Sequence, residues 1–483
     1  MRANPHVLKI CADQLSPHVL GYAGDPHVRT PNLDALAAAG TRFDNHYAAC
    51  PICIPGRLSM LTGRMPTDLG TPHFEDTLPA GTHTYPLHFA QRGYQTTCVG
   101  KMHFHGQEQM HGWMYRPFGD MQMLGHQHLD SYEVARDVTG GNPHRPIRYE
   151  AAGGYNAWML QNAGPGDTGN IRLDRSVTRE SIENLIDYFT PSFIDEVYQG
   201  ERPLLFETSY KTPHCPFVCP PDLFDYYMDV LPPPTHSDLP DDLPTFLRNK
   251  AANDVPDHIT PEHIRRARAA YWGLVEWLDG QVGQVLACLD ELGLRDQFII
   301  QFTADHGEMA GEHGLWQKHI FYEQSVRIPM ILQGPGIPEN HVVRSNTSHL
   351  DLFPTLCDLA GLDGPDVGEV GDEPWAGRSL VPLLSDDDDA QRLVLSEFRA
   401  PAGNGRAEGL PEGVWIVMAK QGPLKLIDYG NGERRGFDLK QEPDERHATT
   451  INDRFASLEA AITRYREQPR RNDATSSDSN SVQ

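Results

Sequence analysis

The feature that most constrains the fold of this chain is a set of short apolar segments, each closely followed by polar residues. We predict strands at residues 7–12, 94–99, 203–209 and 297–303. A long helix is predicted at residues 261–292, because apolar residues recur there at helical spacing. Strands that alternate with helices favour a mostly parallel sheet covered by helices on both faces. Ligands bind such sheets at the carboxyl ends of the strands, where these polar residues would meet.

Shorter elements fill the rest of the chain. The sequence predicts a helix from Thr30-Pro31 to Gly40, a strand at residues 41–47, and a helix over residues 58–61 that is entered through Pro55. Residues 229–261 are rich in proline and aspartate, which is typical of a long surface loop. Near the end of the chain we predict strands at residues 393–398, 413–419 and 424–428, and a helix at about residues 453–466.

These elements indicate a main α/β domain over residues 1–385 and a C-terminal α+β subdomain over residues 390–468. The composition of residues 469–483 is that of a disordered tail. The N-terminus lacks a signal-like segment, and no apolar run reaches membrane-spanning length. We therefore expect a cytoplasmic protein that does not associate with a membrane.

The charge of the chain restricts its partners. The net charge is −25 over 483 residues, which disfavours nucleic acid and anionic membranes. Any anion site must therefore be locally basic, yet the chain has only eight lysines. Its eight cysteines are scattered, several within apolar runs, which is typical of buried free thiols rather than of a zinc site.

The run CIPGR, Cys53 to Arg57, is followed by Thr62-Gly63 and is the most specific motif in the chain. It resembles the C-x-P-x-R…T-G signature of sulfatases, in which the cysteine is oxidised to formylglycine. A hydrated aldehyde offers one hydroxyl as the nucleophile and a second for the release of sulfate. A helix start favours an anionic group at Cys53, and Arg57 would offset developing charge. The resemblance implies an alkaline-phosphatase-like fold, with a large mixed, mainly parallel sheet sandwiched by helices and a small C-terminal antiparallel sheet with a helix.

Two further motifs resemble the split metal site of sulfatases. Asp13-Gln14 follows the first predicted strand, and Asp305-His306 follows a later one. With the modified Cys53, these four residues would bind one divalent cation that activates the attacking hydroxyl. Many sulfatases have aspartate in place of Gln14 and asparagine in place of His306. The family implies calcium, but an imidazole ligand leaves manganese open, and the pattern resembles the choline-sulfatase and phosphonate-monoester-hydrolase branches.

The resemblance also assigns roles to two lysines and two histidines. Lys101 and His103 match a G-K-x-H element, in which the lysine binds sulfate and the histidine takes a proton from the second hydroxyl. His214 lies in a P-H-x-P element and would protonate the leaving alcohol or contact the sulfate. Lys318 matches a second sulfate-binding lysine. Glu308, Glu312 and His313 follow the metal motif, and we interpret them as structural.

The predicted activity is the hydrolysis of a sulfate monoester to an alcohol and sulfate. A phosphonate monoester or phosphodiester hydrolase could use the same groups, because sulfate and phosphate differ mainly in charge. A non-enzymatic binding protein is disfavoured, because such a protein should have lost one of these groups. The implied partners are a small-molecule or carbohydrate sulfate ester, a formylglycine-generating enzyme, and a second copy of the chain in a homo-oligomer. We predict that residues 103–202 determine specificity.

Overall fold

The computed structural model describes residues 4–120, 155–190, 202–240, 242–365, 373–385, 388–400 and 414–468. An eight-stranded sheet lies at the centre of these residues. Across this sheet the strands are β12 (His341–Val343), β2 (Thr41–Phe43), β11 (Met330–Gln333), β9 (Phe298–Ala304), β1 (His6–Asp13), β7 (Leu204–Pro213), β4 (Gln95–Gly100) and β5 (Tyr115–Gly119). Neighbouring strands from β9 to β5 are parallel, whereas β11 is antiparallel to both of its neighbours.

Three smaller sheets accompany the central one. Strand β3 (His46–Tyr47) lies between β10 (Arg327–Ile328) and β13 (Thr347–Ser348), and β6 (Gly164–Pro165) pairs with β8 (Val218–Cys219). The C-terminal sheet is antiparallel. Its strands, in order, are β14 (Leu393–Arg399), β15 (Trp415–Gln421), β16 (Leu424–Asp428) and β17 (Arg434–Asp438).

Helices cover both faces of the central sheet. Side chains alternate along β1, so Leu8 and Ile10 join one apolar core while Val7 and Cys11 join the other. The described helices are α1 (Pro31–Ala38), α2 (Cys53–Thr62), α3 (Pro66–Leu69), α4 (Tyr85–Gln91), α5 (Tyr155–Gln161), α6 (Gly169–Phe189), α7 (Pro221–Val230), α8 (Thr245–Asp254), α9 (Pro261–Glu291), α10 (Glu323–Val326), α11 (Leu352–Leu359) and α12 (Ala456–Glu467). Helices α1, α6 and α9 pack on one face, and α2, α4 and α11 on the other. The predicted fold class is confirmed.

Four predictions about elements need correction. Residues 41–47 form two strands in different sheets, because Asp44 and Asn45 separate β2 from β3 and bind the chain at residues 343 and 344. Helix α2 begins at Cys53, two residues before Pro55. The supposed loop at residues 229–261 contains α8, and the C-terminal sheet has a fourth strand, β17, that was not predicted.

The predicted domain boundaries stay a prediction. Strands β14, β15 and β16 share apolar cores with residues such as Tyr47 and Ile52 from the first part of the chain. The predicted tail and residues 121–154 and 191–201 of the predicted specificity region lie outside the described residues. None of the helices that the structure describes is long and apolar enough to cross a membrane.

Candidate active site

The site forms where β1 and β9 end side by side. Ala12 pairs with Ala304 in parallel register, so the polar residues that follow the two strands meet. The backbone N–H of Gln14 donates to Oδ1 of Asp305 at 3.0 Å. Asp13, Gln14, Asp305 and His306 are fully buried. The sheet register therefore brings together the two halves of the predicted metal site, although they are almost 300 residues apart in sequence.

Cys53 is the first residue of α2, and its thiol points into the same cluster. Its Sγ lies 2.9 Å from Nζ of Lys318, 3.2 Å from Nε2 of His306 and 3.9 Å from Oδ1 of Asp13. Gly63 ends α2 in the left-handed region (φ 69°), where its N–H donates to the carbonyl of Ser59. The T-G part of the motif therefore ends the helix that Cys53 begins.

Arg57 lies one helical turn after Cys53 and bridges the two strand ends. Its Nε donates to Oδ2 of Asp305 at 2.8 Å, and one terminal nitrogen donates to Oδ2 of Asp13 at 3.1 Å. The other terminal nitrogen donates to the carbonyl of Lys101 (2.6 Å) and to Oγ of Ser209 (3.0 Å). The planar guanidinium thus fixes both aspartates, the end of β4 and the middle of β7.

Cationic side chains dominate the electrostatics of this pocket. Lys101 forms an ion pair with Asp13. Burial alone would raise the pKa of Asp13, but the cations Lys101 and Arg57 hold it well below the usual range. Burial and Asp13 oppose ionisation of Cys53, yet Lys318 and the other cations lower the pKa of its thiol. The site therefore stabilises negative charge within a strongly acidic chain.

The donor atoms of the cluster fit a divalent cation. Atoms of Asp13, Cys53, Asp305 and His306 that could bind a metal lie within 4.8 Å of one another. Nδ1 of His306 lies 2.9 Å from the carbonyl of Gly307, so Nε2 faces the cluster. Oε1 of Gln14 lies 3.1 Å from Nζ of Lys318, which also contacts Sγ of Cys53. Carboxylate oxygens, an amide oxygen and an imidazole are common ligands of divalent cations.

The two predicted proton-transfer histidines follow neighbouring strands. His214 comes directly after β7, with Nε2 4.0 Å from Oδ1 of Asp13 and Nδ1 2.7 Å from the carbonyl of Cys215. Burial, reinforced by Lys318, holds the pKa of His214 well below its usual value. His103 follows β4, and its ring packs edge-to-face against Phe74 at 5.3 Å. The ring of His214 thus lies near Asp13. The position of His103 is fixed through its backbone, whose N–H donates to Asp120 at 3.0 Å.

The sequence did not reveal several contacts that hold the site in place. Glu308 and Gln317 bind the amide of Gln14, and Ser209 binds Arg57. Asp174, on α6, accepts hydrogen bonds from the segment that leads to His214. Glu308 was interpreted only as structural and the other three were not singled out, because each contact depends on packing between distant segments.

Comparison with known proteins gives matches along nearly the whole chain. The Sulfatase family model matches residues 5–362, and a model for the C-terminal region of N-sulphoglucosamine sulphohydrolase matches residues 311–471. The choline-sulfatase of Rhizobium meliloti (strain 1021) is 30% identical over 475 residues, which cover 96% of this chain and 86% of the relative. The arylsulfatase of Clostridium perfringens (strain 13 / Type A) is 30% identical over 457 residues, covering 91% and 89%.

Solved structures share the fold. The phosphonate monoester hydrolase of Agrobacterium radiobacter superimposes with a TM-score of 0.69 at 22% identity, over 95% of this chain and 94% of that one. A protein solved in complex with its substrate D-glucosamine-2-N,6-O-disulfate gives a TM-score of 0.73 at 20% identity, over 96% of each chain. At these identities the likeness concerns the fold alone.

Proposed function

This chain belongs to the sulfatase family and is a sulfuric ester hydrolase, and we propose that its nucleophile is a formylglycine made from Cys53. The observation that carries this proposal is the position of the thiol at the start of α2, 2.9 Å from Lys318 and 3.2 Å from His306. Sγ marks the place that the oxygens of the modified side chain would take. The hydrated aldehyde would supply one hydroxyl as the nucleophile and a second for the release of sulfate.

We propose that Asp13, Gln14, Asp305 and His306, with the modified Cys53, bind one divalent cation. When bound, the cation lowers the pKa of the attacking hydroxyl and polarises the oxygens of the ester. Calcium is the family expectation, and manganese is the alternative because His306 offers nitrogen. Both aspartates pair with Arg57 in a fully buried site, which supports this ligand set.

The remaining roles belong to side chains around the cluster. Lys101 and Lys318 would bind the sulfate oxygens, because both are buried cations directed at position 53 or at Asp13. His214 would protonate the leaving alcohol. Its pKa is low in the free site, and the negative charge of a bound ester would raise it. His103 would take a proton from the second hydroxyl and so drive the release of sulfate.

We propose that the substrate is a small-molecule or carbohydrate sulfate ester, since relatives are named choline-sulfatase and arylsulfatase. A formylglycine-generating enzyme would mature the chain, and cytoplasmic location and homo-oligomerisation stay predictions. Parallel measurement of kcat/KM on choline sulfate, an aryl sulfate, a phosphodiester and a phosphonate monoester tests the substrate class. Faster turnover of the phosphonate monoester would favour the alternative hydrolase.

Mass spectrometry of the peptide that contains Cys53 tests the nucleophile. Formylglycine appears as sulfur replaced by oxygen with the loss of two hydrogens. We expect Cys53→Ala to retain the fold and to lose roughly 10³-fold or more of kcat, because the residual rate would come from binding alone. The matched control is Cys50→Ala, a buried thiol three residues away that is expected to leave the modification and activity in place. An unmodified thiol in fully active enzyme would refute the proposal.

A further inference from the structure

Glu308 lies two residues after His306, and the backbone fixes the direction of its carboxylate. The residue is only 1% exposed. Its Oε1 accepts hydrogen bonds from the N–H groups of Ala310 at 2.9 Å and Gln317 at 2.6 Å. A backbone N–H can only donate, so the atom in this position must be an acceptor. The second oxygen, Oε2, is consequently directed at Gln14.

All hydrogen bonds that the structure describes for the Gln14 side chain favour the same orientation of its amide. Its Nε2 donates to Oε2 of Glu308 and, at 3.2 Å, to Oε1 of Gln317. Its Oε1 accepts from the ammonium of Lys318 at 3.1 Å. The two ends of an amide are distinguished by their hydrogen-bond partners. Acceptors at the nitrogen end and a donor at the oxygen end leave one orientation, with the oxygen facing the catalytic cluster.

We propose that Glu308 is a positioning residue that presents the amide oxygen of Gln14 to the cation and to Lys318. The inference rests on the ligand role proposed for Gln14. A carboxylate has two equivalent oxygens, but an amide binds a cation only through its oxygen and therefore has to be oriented. Glu308 supplies that orientation from behind the ligand, without joining the ligand set itself.

In Glu308→Gln, an amide replaces the carboxylate that orients Gln14. The oxygen of the new amide stays on the two backbone donors, so its NH2 group meets the NH2 group of Gln14. Gln14 is expected to flip and to turn its own NH2 group toward Lys318 and the cation. The exchange variant Gln14→Glu/Glu308→Gln avoids this conflict. There the new amide at position 308 donates to a carboxylate at position 14, whose second oxygen again faces Lys318.

The experiment measures cation affinity directly. Calcium and manganese are titrated by calorimetry into the chelator-stripped full-length wild type, Glu308→Gln, the exchange variant and Glu312→Gln. Glu312 lies on the same loop, but its carboxylate accepts from the backbone of Thr235 and His236. Glu312→Gln thus removes one negative charge, as Glu308→Gln does, but it leaves the contacts of Gln14 unchanged.

We expect Glu308→Gln to weaken cation binding by roughly 10–100-fold, as is typical when a group that orients a ligand is lost. The exchange variant should recover most of this loss, and Glu312→Gln should bind as the wild type does. Unchanged affinity in Glu308→Gln would overturn the inference. An exchange variant as weak as Glu308→Gln would overturn it as well, because that variant again presents an oxygen of residue 14 to the cation.

Urea unfolding of the metal-free chain separates this inference from the proposed cation site. In a double-mutant cycle of Gln14→Glu and Glu308→Gln, the exchange variant should be more stable than the two single variants predict together. Gln14→Glu alone places two carboxylates in contact, and Glu308→Gln alone opposes two NH2 groups. If the effects of Gln14→Glu and Glu308→Gln on the free energy of unfolding are simply additive, the inference is overturned, even if the chain binds cations. A wild type that binds neither ion would overturn the cation site, whereas the cycle would still decide the orientation of Gln14.

Discussion

His306 differs in kind from the other predicted cation ligands. Asp13, Asp305 and Gln14 offer oxygen, whereas His306 offers Nε2 and is held in place by its contact with the carbonyl of Gly307. Imidazole suits manganese and other transition ions, and calcium prefers oxygen. We expect His306→Asn to shift the ratio of the calcium and manganese dissociation constants toward calcium by roughly tenfold, equivalent to about 1.4 kcal/mol.

Cation titration of the stripped enzyme, together with elemental analysis of the purified variant, measures this shift. His341→Asn serves as the control, because it makes the same change on β12 at the edge of the sheet. An unaltered preference in His306→Asn would show that His306 does not bind the cation.

The sequence reveals the residues that carry charge but not the residues that orient them. Asp13, Lys101 and Asp305 could be placed because each lies at or just beyond the end of an apolar strand, and parallel strands end at a common edge. The contact between Gln14 and Glu308 joins positions 294 residues apart. It depends on sheet register and loop packing, which no local pattern records, so Glu308 was interpreted only as structural.

At the scale of elements, α6 holds the segment that carries His214. Asp174 accepts from the N–H of Lys211 (2.9 Å) and from the N–H and hydroxyl of Thr212 (2.8 and 2.7 Å). One turn earlier, Asn170 donates to the carbonyls of His214 and Cys215, both at 3.1 Å. The helix therefore fixes the backbone on both sides of the proposed acid.

We expect Asp174→Ala to lower the free energy of unfolding by about 3 kcal/mol, because it leaves buried donors without an acceptor. Activity should fall more on an alkyl sulfate than on a nitrophenyl sulfate, since a poor leaving group depends more on protonation by His214. Chemical denaturation and kcat/KM on both substrates measure the two effects.

Asp167→Ala, which removes an exposed acid just before the same helix, is the control for Asp174→Ala and should change neither quantity. Equal losses on the two substrates would contradict the positioning role of α6. Asp174→Asn, which retains one acceptor oxygen, provides a milder test if Asp174→Ala fails to fold.

The elements that were predicted wrongly share a physical cause. Residues 41–47 satisfy a strand pattern locally, but the chain turns at Asp44-Asn45 and supplies two sheets. Helix α8 lies in a proline- and aspartate-rich region, and its apolar residues Phe246 and Leu247 are buried against the C-terminal sheet. Tertiary contacts determine the secondary structure of such segments. The long helix α9, in contrast, has a strong helical repeat of apolar residues, and its end was predicted to within one residue.

At the scale of the whole molecule, a buried ionic cluster joins the C-terminal sheet to the chain around the site. Lys425, on β16, is fully buried and lies 2.8 Å from Glu323 and 2.6 Å from Glu445. Glu323 begins α10, five residues after Lys318, and also accepts from the hydroxyl of Tyr47 at 2.9 Å. Burial would raise the pKa of Glu323, but Lys425 and Arg327 lower it to about 2. Burial raises the pKa of Glu445 to about 7.

We expect Lys425→Met to destabilise the chain by about 3–5 kcal/mol at pH 7, because it removes the buried cation that pairs with both Glu323 and Glu445. The pKa of Glu323 in the folded chain lies below its ordinary value of 4.5. Its pairing therefore contributes stability above pH 4.5 that is lost as the pH falls toward 2. The penalty of Lys425→Met should accordingly be smaller at pH 4, where carboxyl groups that have lost their cation can take up protons.

Urea unfolding of the wild type, Lys425→Met and Lys440→Met at the two pH values tests this expectation, with Lys440 as an exposed lysine just after β17 of the same sheet. Adding Glu323→Gln and Glu445→Gln to Lys425→Met should restore part of the lost stability, since the buried charges are then gone. A penalty that is the same at pH 4 and pH 7 would show that Lys425 acts through packing. A larger penalty at pH 7 would show that charge holds the C-terminal sheet to the segment that bears Lys318.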